Sequence, residues 1–197
     1  MRMIGVTGGT GSGKSVVTAM LAEQGAFVVD ADAISHQVIL KGEEAYRRLV
    51  EAFGVKILDE NGEIARKKLG AKVFQGGEEM VQTLNACTHP VIFARMKEAL
   101  EKAKQEGYDL AVIDAPLLLE APFCELCDEI WVVFAKEEVR LARIMERDGI
   151  DKDHALGRIR AQRDWESYCK TAPVVIDNST TVEEVKRQVM QLLFKEK

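Results

Sequence analysis

The chain has 197 residues, of which 47% are hydrophobic and 30% charged, so it can bury the core of one compact domain. Its 27 basic and 32 acidic side chains give a formal net charge of -5, which disfavours a general nucleic-acid binder. No apolar run approaches the length of a membrane span and no secretory signal opens the chain. We therefore expect a cytoplasmic protein with neither a membrane nor a nucleic acid as partner.

The predicted strands are short apolar runs without polar alternation, as in a parallel sheet that is covered on both faces. Helical periodicity fills the intervals between them. The last helix opens on the capping-box spacing Thr181-Val-Glu-Glu184 and has one broad apolar face: Val182, Val185, Val189, Leu192 and Leu193. This alternation predicts an α/β fold with a doubly wound, five-stranded parallel sheet. The five predicted strands are 3–6, 27–29, 110–113, 130–134 and 174–176.

The first strand leads into the glycine-rich sequence GGTGSGKS at 8–15, which matches the phosphate-loop pattern GxxxxGK[ST]. A helix predicted over about 14–23 gives the pattern its usual setting, because glycines let backbone N–H groups surround a phosphate at the positive end of the helix dipole. Lys14 would neutralise the β- and γ-phosphates of a nucleotide, and the Ser15 hydroxyl would ligate Mg²⁺. The predicted binding set is Gly8, Thr10, Gly11, Ser12, Gly13, Lys14, Ser15 and Val16.

Two carboxylates, Asp30 and Asp32, follow the second predicted strand. Ligands of open α/β sheets bind outside the carboxyl ends of the strands, so a carboxylate there can accept the proton of an attacking hydroxyl. The alternative is that one of them caps a helix that starts near Ala33. Asp30 fits either role, whereas we favour catalysis for Asp32.

About eighty residues separate the second and third strands, too many for a simple crossover. Helical patterns cover 44–53 and 78–105, the second of them interrupted by Pro90, and Asp59-Glu-Asn-Gly62 predicts a turn. We expect an inserted helical subdomain at about 33–107 of a single domain that spans 1–197.

The later part of the chain supplies a further carboxylate and a row of arginines. Asp114 ends the third strand and could hold Mg²⁺ through water or orient Ser15; bonding to loop amides is the alternative. Arg140, Arg143 and Arg147 have the spacing of one helix face. An arginine row over a phosphate site indicates a closing lid, and a solvated basic face is the alternative.

The four cysteines do not form a complete metal-binding pattern. Cys124-Glu-Leu-Cys127 has the CxxC spacing of zinc and redox sites, but no second CxxC or nearby histidine pair accompanies it. We expect reduced, packed or partly exposed thiols. The chain also lacks the NKxD sequence that reads guanine, which disfavours a GTPase. A small-molecule or nucleotide kinase remains, with a nucleotide-driven binding protein as the other class.

Seven stretches that follow one another along nearly the whole chain resemble one known family. They are TGGTGSGKS, DADAISHQV, THPVI, DAPLLLE, RIMERDG, RIRAQ and VVIDNS, and the family is that of the dephospho-CoA kinases. The resemblance implies a core of the P-loop NTPase type, a helical subdomain that receives the substrate, and a helical lid at about 138–168. It also implies phosphorylation of the ribose 3′-hydroxyl of dephospho-CoA by ATP with Mg²⁺, in a monomer or small homo-oligomer.

The same resemblance assigns roles to single residues. By similarity, Asp32 is the general base and contacts the acceptor, and Arg143 is the lid arginine, with Arg147 behind it as an ATP contact. His89 lies where the family has its substrate side, and it is either a ligand-binding or a structural residue. The chain departs from the family pattern after RIRAQ, where it reads RDWESYCKTAP.

Overall fold

A computed structural model describes residues 1–115, 118–119, 122–162 and 174–194. Five strands form one sheet in the order β2-β3-β1-β4-β5, and β1 pairs in parallel with both β3 and β4. The predicted α/β fold with a parallel sheet is therefore confirmed, and each strand is one or two residues longer than predicted. The strands are β1 (Arg2–Thr7), β2 (Phe27–Asp30), β3 (Leu110–Asp114), β4 (Glu129–Phe134) and β5 (Val174–Asp177).

Helices occupy most of the intervals between the strands, and α1 and α3 have their predicted bounds. Within the described ranges, no helix is long and apolar enough to cross a membrane. The helices are α1 (Lys14–Glu23), α2 (Ala31–Gln37), α3 (Glu44–Phe53), α4 (Arg66–Gln75), α5 (Gly77–Gln105), α6 (Glu137–Asp148), α7 (Lys152–Arg160) and α8 (Val182–Leu193).

The sheet core fixes α1 and therefore the loop that precedes it. Ile4 and Val6 of β1 are completely buried, as expected for a central strand that is covered on both faces. Val17 and Leu21 of α1 belong to the same apolar cluster. Because these side chains leave water together, α1 is held against the sheet and its N-terminus lies just beyond the carboxyl end of β1. The other buried members are Met20, Ala26, Val112, Trp131, Val133, Ile176, Val185 and Val189.

The chain divides into two compact units. The first comprises Met1–Val29 and Lys102–Lys197, and the second comprises Asp30–Glu101. The second unit has an apolar core of its own, in which Phe53 of α3 and Leu69 of α4 are buried. The predicted subdomain, 33–107, starts three residues later and ends six residues later than this unit.

Helix α5 differs from its prediction, because it runs without interruption for 29 residues through Pro90. A proline inside a helix removes one backbone hydrogen bond and crowds the preceding turn. Burial on both sides of it opposes that penalty, since Cys87 and Val91 are almost completely buried. The predicted break was wrong because tertiary packing decides a long helix more than one residue's propensity does.

Helix α8 opens as predicted, but its first residue lies outside the apolar face. The Thr181 hydroxyl accepts a hydrogen bond from the backbone N–H of Glu184, and the side chain caps the helix. Val185 and Val189 are completely buried, whereas Val182 is 57% exposed. The predicted apolar face is therefore wrong at Val182, which does not belong to the apolar cluster that contains Val185 and Val189.

Candidate active site

The loop between β1 and α1 presents free backbone donors at the start of a helix. Gly13 has a φ of 87° and ends the loop in the left-handed region, which favours glycine. Among the described residues, no side chain caps α1, and the same holds for α3, α4 and α6, whereas Asp30, Asp151 and Thr181 cap α2, α7 and α8. Within the described part of the chain, the N–H groups of Lys14 and Ser15 are left for another acceptor, whereas that of Val16 donates to the Gly13 carbonyl oxygen, and the helix dipole favours a negative acceptor.

Asn178, which sequence reasoning did not assign, supports this loop. It follows β5, is 3% exposed, and donates through Nδ2 to the Ser12 carbonyl oxygen over 2.7 Å. A Cβ at Gly13 would lie 2.1 Å from that Nδ2 atom, so only glycine fits there. The signal that could have found Asn178 is its place just beyond the carboxyl end of a strand, where ligands bind in such sheets.

Two arginines of α6 bind the carbonyl side of the loop. Arg140 Nε donates to the Thr10 carbonyl oxygen over 2.9 Å. Arg143 Nη1 donates to the carbonyl oxygens of Gly11 and Ser12 over 3.4 and 3.3 Å, and its Nη2 donates to the Asn178 carbonyl oxygen over 3.1 Å. With its carbonyl groups engaged from α6, the loop keeps the amides of Gly11 and Gly13 for a phosphate, whereas those of Thr10 and Ser12 bond to Gln162 and to the Gly9 carbonyl oxygen.

The third predicted arginine, Arg147, has a different partner. Its Nε and Nη2 donate to the two carboxylate oxygens of Asp148 over 2.7 and 2.9 Å, and Arg158 also pairs with Asp148. These hydrogen bonds from Arg147, with the two positive charges, hold the pKa of Asp148 below its usual range. Arg140, Arg143 and Arg147 therefore do not act as one row in this structure, and an ATP contact of Arg147 stays a prediction.

The side chains of the loop fit a phosphate and a cation. Among the described residues, no carboxylate pairs with the half-buried Lys14, and the Ser15 side chain is exposed. The Ser12 hydroxyl oxygen is buried and has no hydrogen-bond partner within the same part of the chain. A cation at the start of a helix and a buried hydroxyl without a partner are features that an anionic ligand satisfies.

Asp114 is held against α1. Its Oδ2 accepts a hydrogen bond from the Thr18 hydroxyl over 2.9 Å, and Thr18 is buried. Ser15 and Thr18 are three residues apart on α1, so their side chains share a face of the helix. The structure thus directs Asp114 to the face that carries Ser15, and oxygen ligands of these two types suit Mg²⁺.

The two aspartates after β2 have separate local roles. Asp30 is the N-cap of α2, and its Oδ1 accepts a hydrogen bond from the backbone N–H of Ala33 over 2.9 Å. The helix starts at Ala31, two residues before the predicted start. Asp32 is exposed in the first turn, and among the described residues no hydrogen bond or ion pair holds its carboxylate.

Two remaining predictions concern cysteine and histidine. Within the described ranges, no group of three metal-ligating side chains could hold a metal ion, so the zinc alternative gains no support there. The Cys127 sulfur packs against Gly5, and burial raises its pKa to about 12. His89 lies half-buried in α5, and its role in substrate binding stays a prediction. The divergent stretch 163–173 lies outside the described residues.

The phosphate loop lies between a central strand and the first helix, the strand order is 2-3-1-4-5, and α6 binds the loop. These features define the class of the P-loop kinases. Within this class, the family model described as CoaE, dephospho-CoA kinase, matches residues 2–184. The chain belongs to the dephospho-CoA kinase family.

Individual relatives agree with this assignment. The dephospho-CoA kinase of Carboxydothermus hydrogenoformans is 44% identical over 193 residues, which cover 98% of this chain and 93% of the relative. The solved structure of TT1252 from Thermus thermophilus has a TM-score of 0.82 and 29% identity, covering 100% of this chain and 98% of that one. The dephospho-CoA kinase from Campylobacter jejuni has a TM-score of 0.70 and 26% identity, covering 98% and 96%.

Proposed function

We propose that this chain transfers the γ-phosphoryl group of ATP to the ribose 3′-hydroxyl of dephospho-CoA, giving CoA and ADP. The observation that carries the proposal is the uncapped, glycine-containing start of α1, with the loop carbonyl groups bound from α6, in a member of the dephospho-CoA kinase family. In phosphoryl transfer, positioning and charge neutralisation supply most of the rate. The loop amides would position the phosphates, and the Lys14 ammonium would neutralise their charge.

The amides of residues 11 and 13–15 and the Lys14 ammonium bind the β- and γ-phosphates. Because Arg140, Arg143 and Asn178 already engage the carbonyl groups of the loop, little ordering is left for the moment of binding. The lysine charge acts on the phosphates both before and during transfer.

Ser15 and Asp114 would hold the Mg²⁺ that accompanies ATP. The hydrogen bond from the Thr18 hydroxyl fixes the orientation of the Asp114 carboxylate. Residues that hydrogen-bond to a metal ligand usually orient it in this way. Bound there, Mg²⁺ supplies charge neutralisation at the transferring phosphoryl group. The donor set of one hydroxyl, one carboxylate and substrate phosphates is typical of this cation.

Asp32 accepts the proton of the attacking hydroxyl. Asp30 already uses its side chain to cap α2, which leaves Asp32 as the carboxylate without a structural partner in the described part of the chain. The new bond joins the 3′-oxygen to phosphorus, the bond from phosphorus to the bridging oxygen of ADP breaks, and the hydroxyl proton passes to Asp32. Arg143 and Arg147 are the proposed lid arginines, and His89 the proposed substrate contact.

Other parts of the proposal concern the whole protein. The unit Asp30–Glu101 would receive dephospho-CoA, and 138–168 would act as the lid. We propose a cytoplasmic enzyme that works as a monomer or small homo-oligomer without a nucleic-acid or membrane partner.

The purified protein should convert dephospho-CoA and ATP to CoA and ADP in the presence of Mg²⁺, measured by separation of the products. Nucleoside monophosphates and simple sugars should be poor acceptors, and EDTA should abolish transfer. Hydrolysis of ATP on which dephospho-CoA has no effect would favour a nucleotide-driven binding protein. If a nucleotide outcompetes dephospho-CoA as acceptor, the protein is still a kinase, but dephospho-CoA is not its substrate.

A further inference from the structure

The side-chain amide oxygen of Gln162 accepts two hydrogen bonds at the phosphate loop. Its Oε1 accepts from the backbone N–H of Thr10 over 2.7 Å and from Arg140 Nη2 over 3.1 Å. Arg140 Nε in turn donates to the Thr10 carbonyl oxygen over 2.9 Å. Both backbone polar groups of Thr10 are therefore bound by side chains from distant parts of the chain.

The neighbouring glycine makes room for this arrangement. A Cβ at Gly9 would lie 2.6 Å from Arg140 Nη2 and 3.0 Å from Gln162 Oε1. A larger residue at position 9 would displace the guanidinium, the amide, or both. The loop sequence and the two side chains thus fit one another.

Gln162 also connects the loop to a distant part of the chain. It lies two residues beyond the end of α7, and its hydrogen bond to Thr10 spans 152 residues of sequence. Apart from Gln162 Oε1, no acceptor for the Thr10 N–H is present among the described residues. The order of the loop at residue 10 therefore depends on where the end of α7 lies.

We propose that Gln162 is a positioning residue for ATP binding, which fixes the Thr10 peptide together with Arg140 and so pre-organises the phosphate loop. The inference rests on the proposed function, because it takes ATP as the ligand of the loop. A loop that is ordered before binding loses less conformational freedom when the phosphates arrive. The effect acts on bound ATP and on the transition state alike, so it changes KM more than kcat.

The test is Gln162→Leu, which keeps the size of the side chain but removes the acceptor. The KM for ATP should rise about three- to tenfold, as for the loss of one or two hydrogen bonds, while kcat at saturating ATP stays within about twofold. Calorimetry with Mg²⁺ and a non-hydrolysable ATP analogue, without an acceptor, should show the same loss of affinity. This binding experiment does not depend on whether dephospho-CoA is the substrate.

Two further variants separate positioning from simple stability. Gln191→Leu on α8 is the matched control, because Gln191 is exposed and far in sequence from the loop. It should leave the KM for ATP unchanged. Arg140→Lys should also raise KM, and the double variant should be little worse than the more severe single variant, because both residues act on one peptide.

Three results would overturn the proposal. The first is a KM and an analogue affinity that Gln162→Leu leaves unchanged or improves. The second is a lower melting temperature without any loss of analogue affinity, which is the behaviour of a purely structural residue. The third is full additivity of the Gln162 and Arg140 variants, which would show that they act independently.

Discussion

At the scale of single residues, a capping hydrogen bond distinguishes the roles of Asp30 and Asp32. Asp30 has a backbone partner and a structural role, since it satisfies one of the free N–H groups at the start of α2. Asp32 has no such partner among the described residues, so its carboxylate remains available to take up a proton. Neutralising each carboxylate separately tests this difference.

Asp32→Asn should lower kcat by about 10²-fold or more, the usual contribution of a general base, while the KM for ATP changes little. Steady-state kinetics with dephospho-CoA measures both. Asp30→Asn is the matched control, because asparagine caps a helix as well as aspartate does and only the charge is lost. Equal losses in the two variants, or a normal kcat in Asp32→Asn, would assign the base elsewhere.

The buried thiol of Cys127 gives a second prediction at this scale. Because burial raises the pKa of Cys127 to about 12, its thiol stays protonated well above neutral pH and is a poor nucleophile. Peptide mass spectrometry after iodoacetamide treatment at pH 8 should show slower labelling at Cys127 than at the same residue in the unfolded chain. Because the pKa of Cys127 is higher in the folded than in the unfolded chain, its contribution to the free energy of unfolding is fully present below the unfolded pKa. This contribution is lost as the pH rises through the folded pKa. Equal labelling rates in the folded and unfolded chain would contradict the burial.

At the scale of secondary structure, α6 stabilises the phosphate loop from its carbonyl side. Arg143 donates to three carbonyl oxygens of the loop and of the segment after β5. A lid arginine that met only the transferring phosphoryl group would leave nucleotide affinity untouched when it is removed. Removal of an arginine that also holds the loop would lower nucleotide affinity.

We expect Arg143→Ala to raise the KM for ATP and to lower the melting temperature, because three carbonyl oxygens lose a charged donor. The decrease in unfolding free energy should be about 1–3 kcal/mol, measured by denaturant titration. Arg187→Ala on α8 is the control, since Arg187 pairs with Glu184 on an exposed surface and should change stability by less than about 0.5 kcal/mol. A loss of kcat alone in Arg143→Ala would restore the simple lid role.

At the scale of the whole molecule, the residues proposed to act on ATP and those proposed to act on the acceptor belong to different compact units. Lys14, Ser15 and Asp114 belong to the unit that contains the sheet, and Asp32 and His89 belong to Asp30–Glu101. The sheet unit has its own core and holds the complete phosphate loop with its supporting side chains. Nucleotide binding should therefore depend on the first unit and stabilise it.

Mg²⁺ with a non-hydrolysable ATP analogue should raise the melting temperature of the native chain. At 100 times the dissociation constant, the added stability is about 2.7 kcal/mol. Lys14→Ala should lose most of this shift, whereas Asp32→Asn should keep it, because Asp32 is proposed to act on the acceptor. Differential scanning calorimetry measures both, and an undiminished shift in Lys14→Ala would contradict the proposed phosphate site.

The sequence by itself determined the sheet, the phosphate loop and the family. Strands that are buried on both faces lack polar alternation, and the glycine pattern needs no distant contact to be recognised, so both are local properties of the chain. The cap at Thr181 and the bounds of α1 and α3 were predictable for the same reason. Each depends on residues within a few positions of one another.

Tertiary structure alone decided the partners of side chains that meet across the sequence. Asn178 reaches Ser12 across 166 residues and Gln162 reaches Thr10 across 152, and neither pairing leaves a periodic pattern. The same holds for α5, where burial of Cys87 and Val91 overrides the local effect of Pro90. Local sequence fixes backbone propensity, whereas these outcomes depend on which surfaces leave water together and which polar groups then need a partner.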